Sequence, residues 1–270
     1  MSKIVFISGA TSGFGKACAE KFAANGYDLI LNGRREDRLE ELCTTLEGKY
    51  NIASITLPFD VQDEKAVFNS INNLPAEWKK IDVLINNAGL ALGRDYFDEG
   101  NLSDWNTMID TNIKGLIYVA KAVSQLMIRN ASSTKTSSER TGPAGHIINM
   151  GSVAGKQVYE KGNVYCATKY AVDALNQAMR IDLLRHNIKV TGIHPGAAET
   201  EFSIVRFKGD DEAAKKIYDG LKPLSAEDVA EVIYYCTTLP PHVCINDLVI
   251  TCLQQADTIY FNRDTFLTPD

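Results

Sequence analysis

Short apolar runs alternate with longer amphipathic stretches along most of the chain. Residues 3–8 form an apolar, β-rich run typical of a strand that is buried on both faces of a parallel sheet. Comparable runs lie at residues 27–31, 53–57, 83–85, 146–150, 189–193 and 248–251. Helical patterns separate these runs, and repeated β-α-β units place parallel strands side by side. The pattern therefore predicts an α/β protein with a doubly wound parallel sheet of about seven strands and helices on both faces.

No Pro/Gly-rich linker divides the 270 residues into two apolar-rich halves. We therefore expect a single domain over residues 1–270, since a chain of this length can build one large core. Residues 130–145 are rich in Ser and Thr and contain a Gly-Pro pair. This composition predicts a surface loop between a helix and the fifth strand.

The first strand leads directly into a glycine-rich turn, Gly9-Ala10-Thr11-Ser12-Gly13-Phe14-Gly15, and residues 16–25 then have a helical pattern. Free backbone N–H groups and the dipole of a starting helix favour an anion such as a pyrophosphate, and glycines let it come close. The spacing Gly-x-x-x-Gly-x-Gly differs from the commoner Gly-x-Gly-x-x-Gly pattern of dinucleotide sites. The sequence leaves open that this segment is only a tight turn.

The end of the second strand indicates which dinucleotide fits. An NAD site usually carries an acidic residue there, which binds the ribose 2′-hydroxyl. This chain has Arg34 and Arg35 instead. Two guanidinium groups suit a 2′-phosphate because they form paired, charge-assisted hydrogen bonds, so we predict NADP as the cofactor. Alternatively, both arginines only begin the charged helical stretch at residues 36–46 and pair with its glutamates.

A phenol and an ammonium group lie one helical turn apart at Tyr165 and Lys169, thirteen residues beyond Ser152. Residues i and i+4 share a helix face, so the charge of Lys169 favours the ionised form of Tyr165. Lowering a tyrosine pKa by roughly three units takes about 4 kcal/mol, which one lysine and a second cation can supply in a desolvated cleft. These residues predict a proton-transfer site. The same spacing also fits an amphipathic helix whose lysine reaches out to solvent.

Six motifs lie in register along nearly the whole chain: Ser8-Gly9-x-x-x-Gly13-x-Gly15, Asn86-Asn87-Ala88-Gly89, Asp110-Thr111-Asn112, Gly151-Ser152, Tyr165-x-x-x-Lys169 and Pro195-Gly196-x-x-x-Thr200. In this order and spacing they resemble the short-chain dehydrogenase/reductase family. The resemblance implies a Rossmann-like fold and an oxidoreductase. It implies that Tyr165 is the general acid/base, that Lys169 lowers its pKa and holds the nicotinamide ribose, and that Ser152 binds the substrate oxygen. Asn112 is similar to the fourth catalytic residue, which helps to hold a relay water, although an ordinary polar helix residue is the alternative.

The resemblance also implies the cofactor contacts. Those in the phosphate loop are Gly9, Thr11, Ser12, Gly13, Phe14 and Gly15. Asp60 and Val61 match positions beside the adenine ring, and Asn87 follows the fourth strand. Pro195, Gly196 and Thr200 resemble the segment that flanks the nicotinamide carboxamide.

Within the family, residues 74–78, 89–93 and 200–210 resemble the NADP-dependent 3-hydroxy acid (serine) dehydrogenases. The family usually builds a mobile lid over the substrate from the region that is residues 197–223 here, which we call the lid segment. If the lid segment folds over the nicotinamide, Arg206 can bind a substrate carboxylate through a bidentate pair. The substrate would then be a short 3-hydroxy acid such as serine. Alternatively, Arg206 pairs with Asp210 or Glu201, or stays in solvent.

Composition limits the partners. The net charge of −6 argues against general nucleic-acid binding, and no apolar run approaches the ~18 residues that span a bilayer. The six cysteines are dispersed and the four histidines do not gather near them, so neither a metal site nor a disulfide framework is expected. No charged and then apolar leader precedes the first strand, and we expect a cytoplasmic protein. Family members commonly form tetramers through the last strand and two long helices, which implies a homotetramer.

Two classes of function fit a dinucleotide-binding fold. One is an NADP-dependent oxidoreductase, and the other is a non-catalytic binding protein that acts as a redox sensor. A sensor can lose the serine, tyrosine or lysine, whereas this chain retains Ser152, Tyr165 and Lys169. We therefore predict an enzyme. An NADPH-dependent reductase of other ketones or aldehydes is the alternative within that class.

Overall fold

A parallel sheet with helices on both faces forms the centre of the molecule. The computed structural model describes residues 2–133 and 142–263. The strands are β1 (Ile4–Ile7), β2 (Asp28–Gly33), β3 (Ser54–Pro58), β4 (Ile81–Asn86), β5 (Gly145–Met150), β6 (Ile188–Pro195) and β7 (Asp247–Ile250). Within the described ranges they form one sheet in the order β3-β2-β1-β4-β5-β6-β7, and all neighbours are parallel. The predicted fold class is confirmed.

The helices are α1 (Gly13–Ala23), α2 (Glu36–Tyr50), α3 (Glu64–Asn72), α4 (Leu102–Ile109), α5 (Leu116–Ser133), α6 (Asn163–Leu183), α7 (Glu201–Arg206), α8 (Asp211–Lys216) and α9 (Ala226–Thr238). A π-helical segment, Asp110–Gly115, joins α4 to α5. Successive side chains of each strand point to opposite faces of the sheet, so each strand contributes apolar residues to the cores on both faces. In β1, for example, Val5 and Ile7 belong to the core under α1, α2 and α9, whereas Phe6 belongs to the core under α3 and α5.

The structure corrects the two ends of the surface loop predicted at residues 130–145. Helix α5 continues to Ser133, and β5 already begins at Gly145. The Ser132 hydroxyl donates to the Ile128 carbonyl oxygen within the helix at 2.9 Å, so a serine there is compatible with helical structure. Residues 134–141 of the predicted loop lie outside the described residues.

Strand order reverses between β1 and β4, because the chain moves outward to β3 and then returns to the other side of β1. In open α/β sheets, ligands bind at the carboxyl ends of the strands where this reversal opens a crevice. The glycine-rich turn, the Asn86 to Gly89 motif and Ser152 all follow strands at this edge. Among the described residues, no helix combines the length and the apolar character needed to cross a membrane.

Candidate active site

A cavity of about 350 Å³ opens at this crevice. Most of the predicted cofactor and catalytic residues line it: Gly9, Thr11, Ser12, Gly13, Phe14, Arg34, Arg35, Asp60, Val61, Asn87, Ser152, Tyr165, Lys169, Pro195, Gly196 and Thr200. Three predicted site residues lie elsewhere. Gly15 and Asn112 pack beneath the cavity wall, and Arg206 lines a neighbouring cavity.

Backbone packing requires the glycines of the phosphate loop. Gly9 and Gly13 have φ angles of +67° and +50°, which favour glycine. A Cβ atom on Gly15 would lie 2.2 Å from the Gly9 carbonyl oxygen, so Gly15 serves close packing of the helix start rather than ligand contact. Asn87 ties the loop to the turn after β4, since its side-chain amide donates to the Ser8 and Gly9 carbonyl oxygens at 3.0 Å. The result is an open cradle of backbone beside a helix N-terminus, which fits a pyrophosphate.

The two arginines stand at the far end of this cradle. Arg35 donates to the Thr11 hydroxyl at 2.8 Å and lies 3.7 Å from a carboxylate oxygen of Glu201, while Arg34 lies 3.8 Å from Asp60. The side chains of Arg34 and Arg35 are 65% and 41% exposed, which leaves both guanidinium groups accessible to a phosphate. We did not predict the contact with Glu201 from the sequence, because no spacing rule brings the lid segment to the second strand.

Helix α6 presents Tyr165 and Lys169 on one face toward Ser152. Both α6 side chains are buried, and the Lys169 ammonium donates to the Met150 carbonyl oxygen at 2.9 Å. Ser152 caps the short 3₁₀ turn Val153–Gly155, where its hydroxyl accepts from the Ala154 N–H at 3.1 Å. The turn therefore holds a hydroxyl against the phenol of α6.

Electrostatics at Tyr165 differ from the expectation that Lys169 lowers its pKa. Burial is the dominant effect and raises the pKa of Tyr165, and hydrogen bonding to Ser152 and the charge of Arg206 only partly oppose it. Burial also lowers the pKa of Lys169 to about 8. The second cation anticipated from the sequence is thus Arg206, whose guanidinium carbon lies 5.4 Å from the centre of the Tyr165 ring.

Asn112 lies in the π-helical segment and is almost fully buried. Its side-chain oxygen accepts from the Leu90 N–H at 2.8 Å, and its amide donates to the Leu90 carbonyl oxygen at 2.8 Å and to the Thr168 hydroxyl at 3.0 Å. The side chain therefore joins the segment after β4 to α6. Single π-turns are frequent at functional sites, and this one joins α4 to α5 and contacts α6 through Thr168.

A second cavity of about 470 Å³ adjoins the first and shares Ser152 and Tyr165 with it. Arg206 lines this cavity with only 9% of its surface exposed. It donates to the Tyr159 hydroxyl at 2.8 Å and, through Nε, to the Gly93 carbonyl oxygen at 3.4 Å. Neither Asp210 nor Glu201, the partners we considered from the sequence, contacts it among the described ion pairs.

The Nη2 atom of Arg206 is buried and has no hydrogen-bond partner among the described residues. The described lining of this cavity contains no aspartate or glutamate. It contains three further basic residues, which are Arg94, Lys216 and Arg263. A buried donor without an acceptor costs about 1–3 kcal/mol, and more when it is charged. The cavity is therefore suited to an anion beside the Ser152 and Tyr165 hydroxyls. We missed Tyr159 in the sequence because a tyrosine in the turn before α6 carries no motif.

The fold and these two cavities define a dinucleotide-binding protein with a serine, tyrosine and lysine at the nucleotide crevice. A family model described as short chain dehydrogenase matches residues 3–211, and the chain belongs to that family. It is similar to sulfoacetaldehyde reductase 2 of Chromohalobacter salexigens, with 46% identity over 95% of this chain and 96% of that protein. The NADP-dependent 3-hydroxy acid dehydrogenase YdfG of Escherichia coli K12 is 44% identical over 94% of this chain and 96% of its own length.

Solved structures are similar as well. The closed form of serine dehydrogenase complexed with NADP+ has a TM-score of 0.85 and 43% identity, and the match covers 94% of this chain and 96% of that chain. Serine dehydrogenase from Escherichia coli has a TM-score of 0.76 and 38% identity, with 94% of this chain and 99% of that chain covered. The predicted family and its resemblance to 3-hydroxy acid dehydrogenases are confirmed.

Proposed function

We propose that this protein is an NADP-dependent dehydrogenase of short 3-hydroxy acids, serine among them. The observation that carries the proposal is the buried Arg206, which lines the cavity shared with Ser152 and Tyr165 and whose buried Nη2 atom has no hydrogen-bond partner among the described residues. An acid bound there by its carboxylate would have its 3-hydroxyl near both of those hydroxyl groups. The proteins named for 3-hydroxy acids and for serine among its relatives support the same substrate class.

NADP is the proposed cofactor. Its residues would be the loop from Gly9 to Phe14, Asp60 and Val61, Asn87, and Pro195 to Thr200, with Arg34 and Arg35 at the 2′-phosphate. The relatives named as NADP-dependent and the accessible arginines at the end of β2 support this choice. When bound, the nicotinamide supplies the hydride acceptor.

In the proposed reaction, Tyr165 takes the proton from the substrate 3-hydroxyl as hydride leaves the same carbon. Ser152 donates a hydrogen bond to the substrate oxygen as negative charge develops there. Lys169 is already held by the Met150 carbonyl oxygen and would bind the nicotinamide ribose. We propose Asn112 as a positioning residue for α6, in keeping with its bond to Thr168.

A substrate panel tests the proposal. NADP⁺ reduction should be measured with serine, 3-hydroxybutyrate, 3-hydroxypropionate and uncharged alcohols of similar size, and NADPH oxidation with simple ketones. We expect the highest kcat/KM for a 3-hydroxy acid. Equal rates for acids and neutral alcohols would remove the substrate assignment, and lack of any turnover would favour the sensor class.

A second candidate is the reduction of a short aldehyde that carries a sulfonate. The relative named sulfoacetaldehyde reductase 2 favours it, and the unpaired Nη2 atom of Arg206 suits a sulfonate as well as a carboxylate. Sulfoacetaldehyde belongs in the NADPH arm of the panel beside a 3-oxo acid of equal length. The larger kcat/KM of the two decides which anion the cavity prefers.

We also propose a homotetramer. Exposed apolar side chains lie at the end of α6 and in the turn that follows it (Ile181 and Leu184), and in and after β7 (Val249, Leu253, Ile259 and Tyr260). Strand β7 pairs only with β6 in the described chain, which leaves the other edge of β7 open. Open edges and apolar patches of this kind are usually covered. Sedimentation at micromolar concentration should give four times the chain mass, and a monomer would contradict the proposal.

A further inference from the structure

Four titratable side chains from four different elements meet behind the candidate active site. They are Lys156 from the turn after β5, Asp173 from α6, His194 from β6 and Asp247 from the start of β7. The Lys156 ammonium lies 2.9 Å from Asp173 and 2.5 Å from Asp247, and the His194 Nε2 atom lies 2.5 Å from the other oxygen of Asp247. We call these residues the Lys156 cluster.

The Lys156 cluster is connected to the turn that carries Ser152 and to the helix that carries Tyr165 and Lys169. Asp173 follows Tyr165 and Lys169 at intervals of four residues, so the three side chains share one face of α6. Lys156 lies four residues after Ser152, across the 3₁₀ turn Val153–Gly155. The ion pair between Lys156 and Asp173 thus joins the turn that carries Ser152 to the helix that carries Tyr165.

Tight backbone packing makes the position of this turn sensitive to the cluster. A Cβ atom on Gly155 would lie 2.5 Å from the Lys169 carbonyl oxygen, and one on Gly151 would lie 2.3 Å from the His194 Nδ1 atom. The backbone on both sides of Ser152 therefore touches α6 and β6 directly. A shift of the turn by a few tenths of an ångström would change these contacts and the distance from Ser152 to Tyr165.

Lys156 supplies the positive charge that the two carboxylates of the cluster need. His194 is fully buried, and burial lowers its pKa, so the ring is neutral and donates through Nε2 to Asp247. Asp173, His194 and Asp247 have the spacing of a metal site. The Lys156 ammonium, however, already contacts both carboxylates. Without Lys156, the carboxylates of Asp173 and Asp247 would lie close together in a partly buried site, with only the neutral His194 ring between them and no cation. Their repulsion would separate α6 from β7.

We propose that Lys156 is a positioning residue, which sets the distance between Ser152 and Tyr165 through its ion pairs with Asp173 and Asp247. This inference rests on the proposed oxidoreductase function. Lys156 itself contacts neither the first cavity nor the second in the described lining. Its effect on the reaction is therefore transmitted through the turn and α6.

The test compares three variants with the wild-type enzyme on whichever substrate the wild type turns over, which keeps it separate from the identity of that substrate. Lys156→Met removes the charge, Lys156→Arg retains it, and Asp173→Asn removes one partner while keeping its shape. Lys49→Met is the matched control, because it also breaks a lysine ion pair, at 2.7 Å to Glu20, remote from the cavities. Each variant is assayed for kcat, substrate KM, the Kd of NADP⁺ by titration, and Tm.

We expect Lys156→Met to lower kcat by about 10- to 100-fold. A mutation remote from the reacting atoms has an effect of this size when it displaces a catalytic group, here the Ser152 hydroxyl relative to Tyr165. Substrate KM and the Kd of NADP⁺ should stay within about twofold, since the removed charge touches neither ligand. Lys156→Arg should recover most of kcat. Asp173→Asn should give an intermediate kcat, since Asp247 still pairs with Lys156, and Lys49→Met should match the wild type.

Three results would overturn the proposal: an unchanged kcat in Lys156→Met, a Kd of NADP⁺ that rises in parallel with the loss of kcat, or a Lys156→Arg variant as slow as Lys156→Met. The Tyr170 hydroxyl donates to the Lys156 carbonyl oxygen at 2.8 Å, and since this bond uses neither the Lys156 nor the Asp173 side chain, we expect the variants to fold. If Lys156→Met nevertheless fails to fold, Asp173→Asn decides the matter. Wild-type kcat in Asp173→Asn would then refute the role of the ion pair.

Discussion

Replacing Arg206 with methionine should separate charged from uncharged substrates. The side chain is 9% exposed, so water does not compensate for its loss as it would at the surface. Hydrogen bonds to a charged group contribute about 1.5–3 kcal/mol each. Nη2 is free, while Nη1 is shared with Tyr159, so we count one to two bonds to the substrate anion. One to two such bonds correspond to a loss of about 1.5–6 kcal/mol, which is a fall of about 10- to 3 × 10⁴-fold in kcat/KM.

The assay measures the ratio of kcat/KM for 3-hydroxypropionate to that for its uncharged amide. Arg206 also lies 5.4 Å from the Tyr165 ring, so its removal alters proton transfer for both substrates. Taking the ratio cancels that shared effect and leaves the contribution of the carboxylate. Arg94→Met is the control, because Arg94 lines the same cavity but is exposed and hence screened. An equal loss for acid and amide would refute the assignment of Arg206 to the substrate anion.

Further predictions concern the cofactor, the proton and acid stability. Tyr165→Phe should lower turnover by at least ~100-fold while NADPH still binds, as followed by fluorescence titration; retained turnover would refute the acid/base role. Replacing Arg34 and Arg35 together with uncharged residues should weaken the binding of NADPH by several kcal/mol at most and leave the binding of NADH unchanged. If the wild type bound NADH as tightly as NADPH, the proposed site for the 2′-phosphate would be wrong. Because burial raises the pKa of Tyr165, kcat for oxidation should increase with pH through the alkaline range, whereas a flat profile would argue against the phenol as base. Burial lowers the pKa of His146 from 6.5 to about 3. As the pH falls below 6.5, His146 therefore takes up a proton in the unfolded chain but not in the folded one, and the free energy of unfolding decreases. Urea unfolding should show about 2 kcal/mol of this loss between pH 7 and pH 5, and His146→Gln should reduce it.

The strands were predictable because apolar runs report burial on both faces of the sheet. Their ends were not, since hydrogen bonds between strands set them. The apolar run at residues 189–193 ends two residues before β6, which continues to Pro195. The strand is longer because the Gly196 N–H, directly after it, still donates to the Ile250 carbonyl oxygen at 2.8 Å. The Ser/Thr-rich stretch misled us at its start, because helix α5 continues to Ser133 and the Ser132 hydroxyl donates to a carbonyl oxygen within that helix.

The same division holds for the site. Tyr165 and Lys169 were predictable because helix periodicity fixes their shared face, and the glycine loop because its strand and helix adjoin in sequence. The bond between Arg206 and Tyr159 joins residues 47 positions apart across a cavity, which no local rule encodes. The sign of the shift in the Tyr165 pKa also escaped prediction, since it depends on the depth of burial rather than on the neighbouring lysine.

Helix α7 has practical importance for anyone who wishes to change the coenzyme of this protein. Its first residue, Glu201, contacts Arg35 and Arg38 at the nucleotide end, and its last residue, Arg206, lines the cavity beside Tyr165. Six residues of helix span only about 9 Å, so the two ends move as one body. Exchanging Arg34 and Arg35 to accept NADH would therefore remove one of the two ion pairs that hold the helix carrying Arg206, the residue that we propose binds the substrate anion. We therefore expect a change of coenzyme preference to alter substrate affinity as well, so that directed evolution of one must select for the other at the same time.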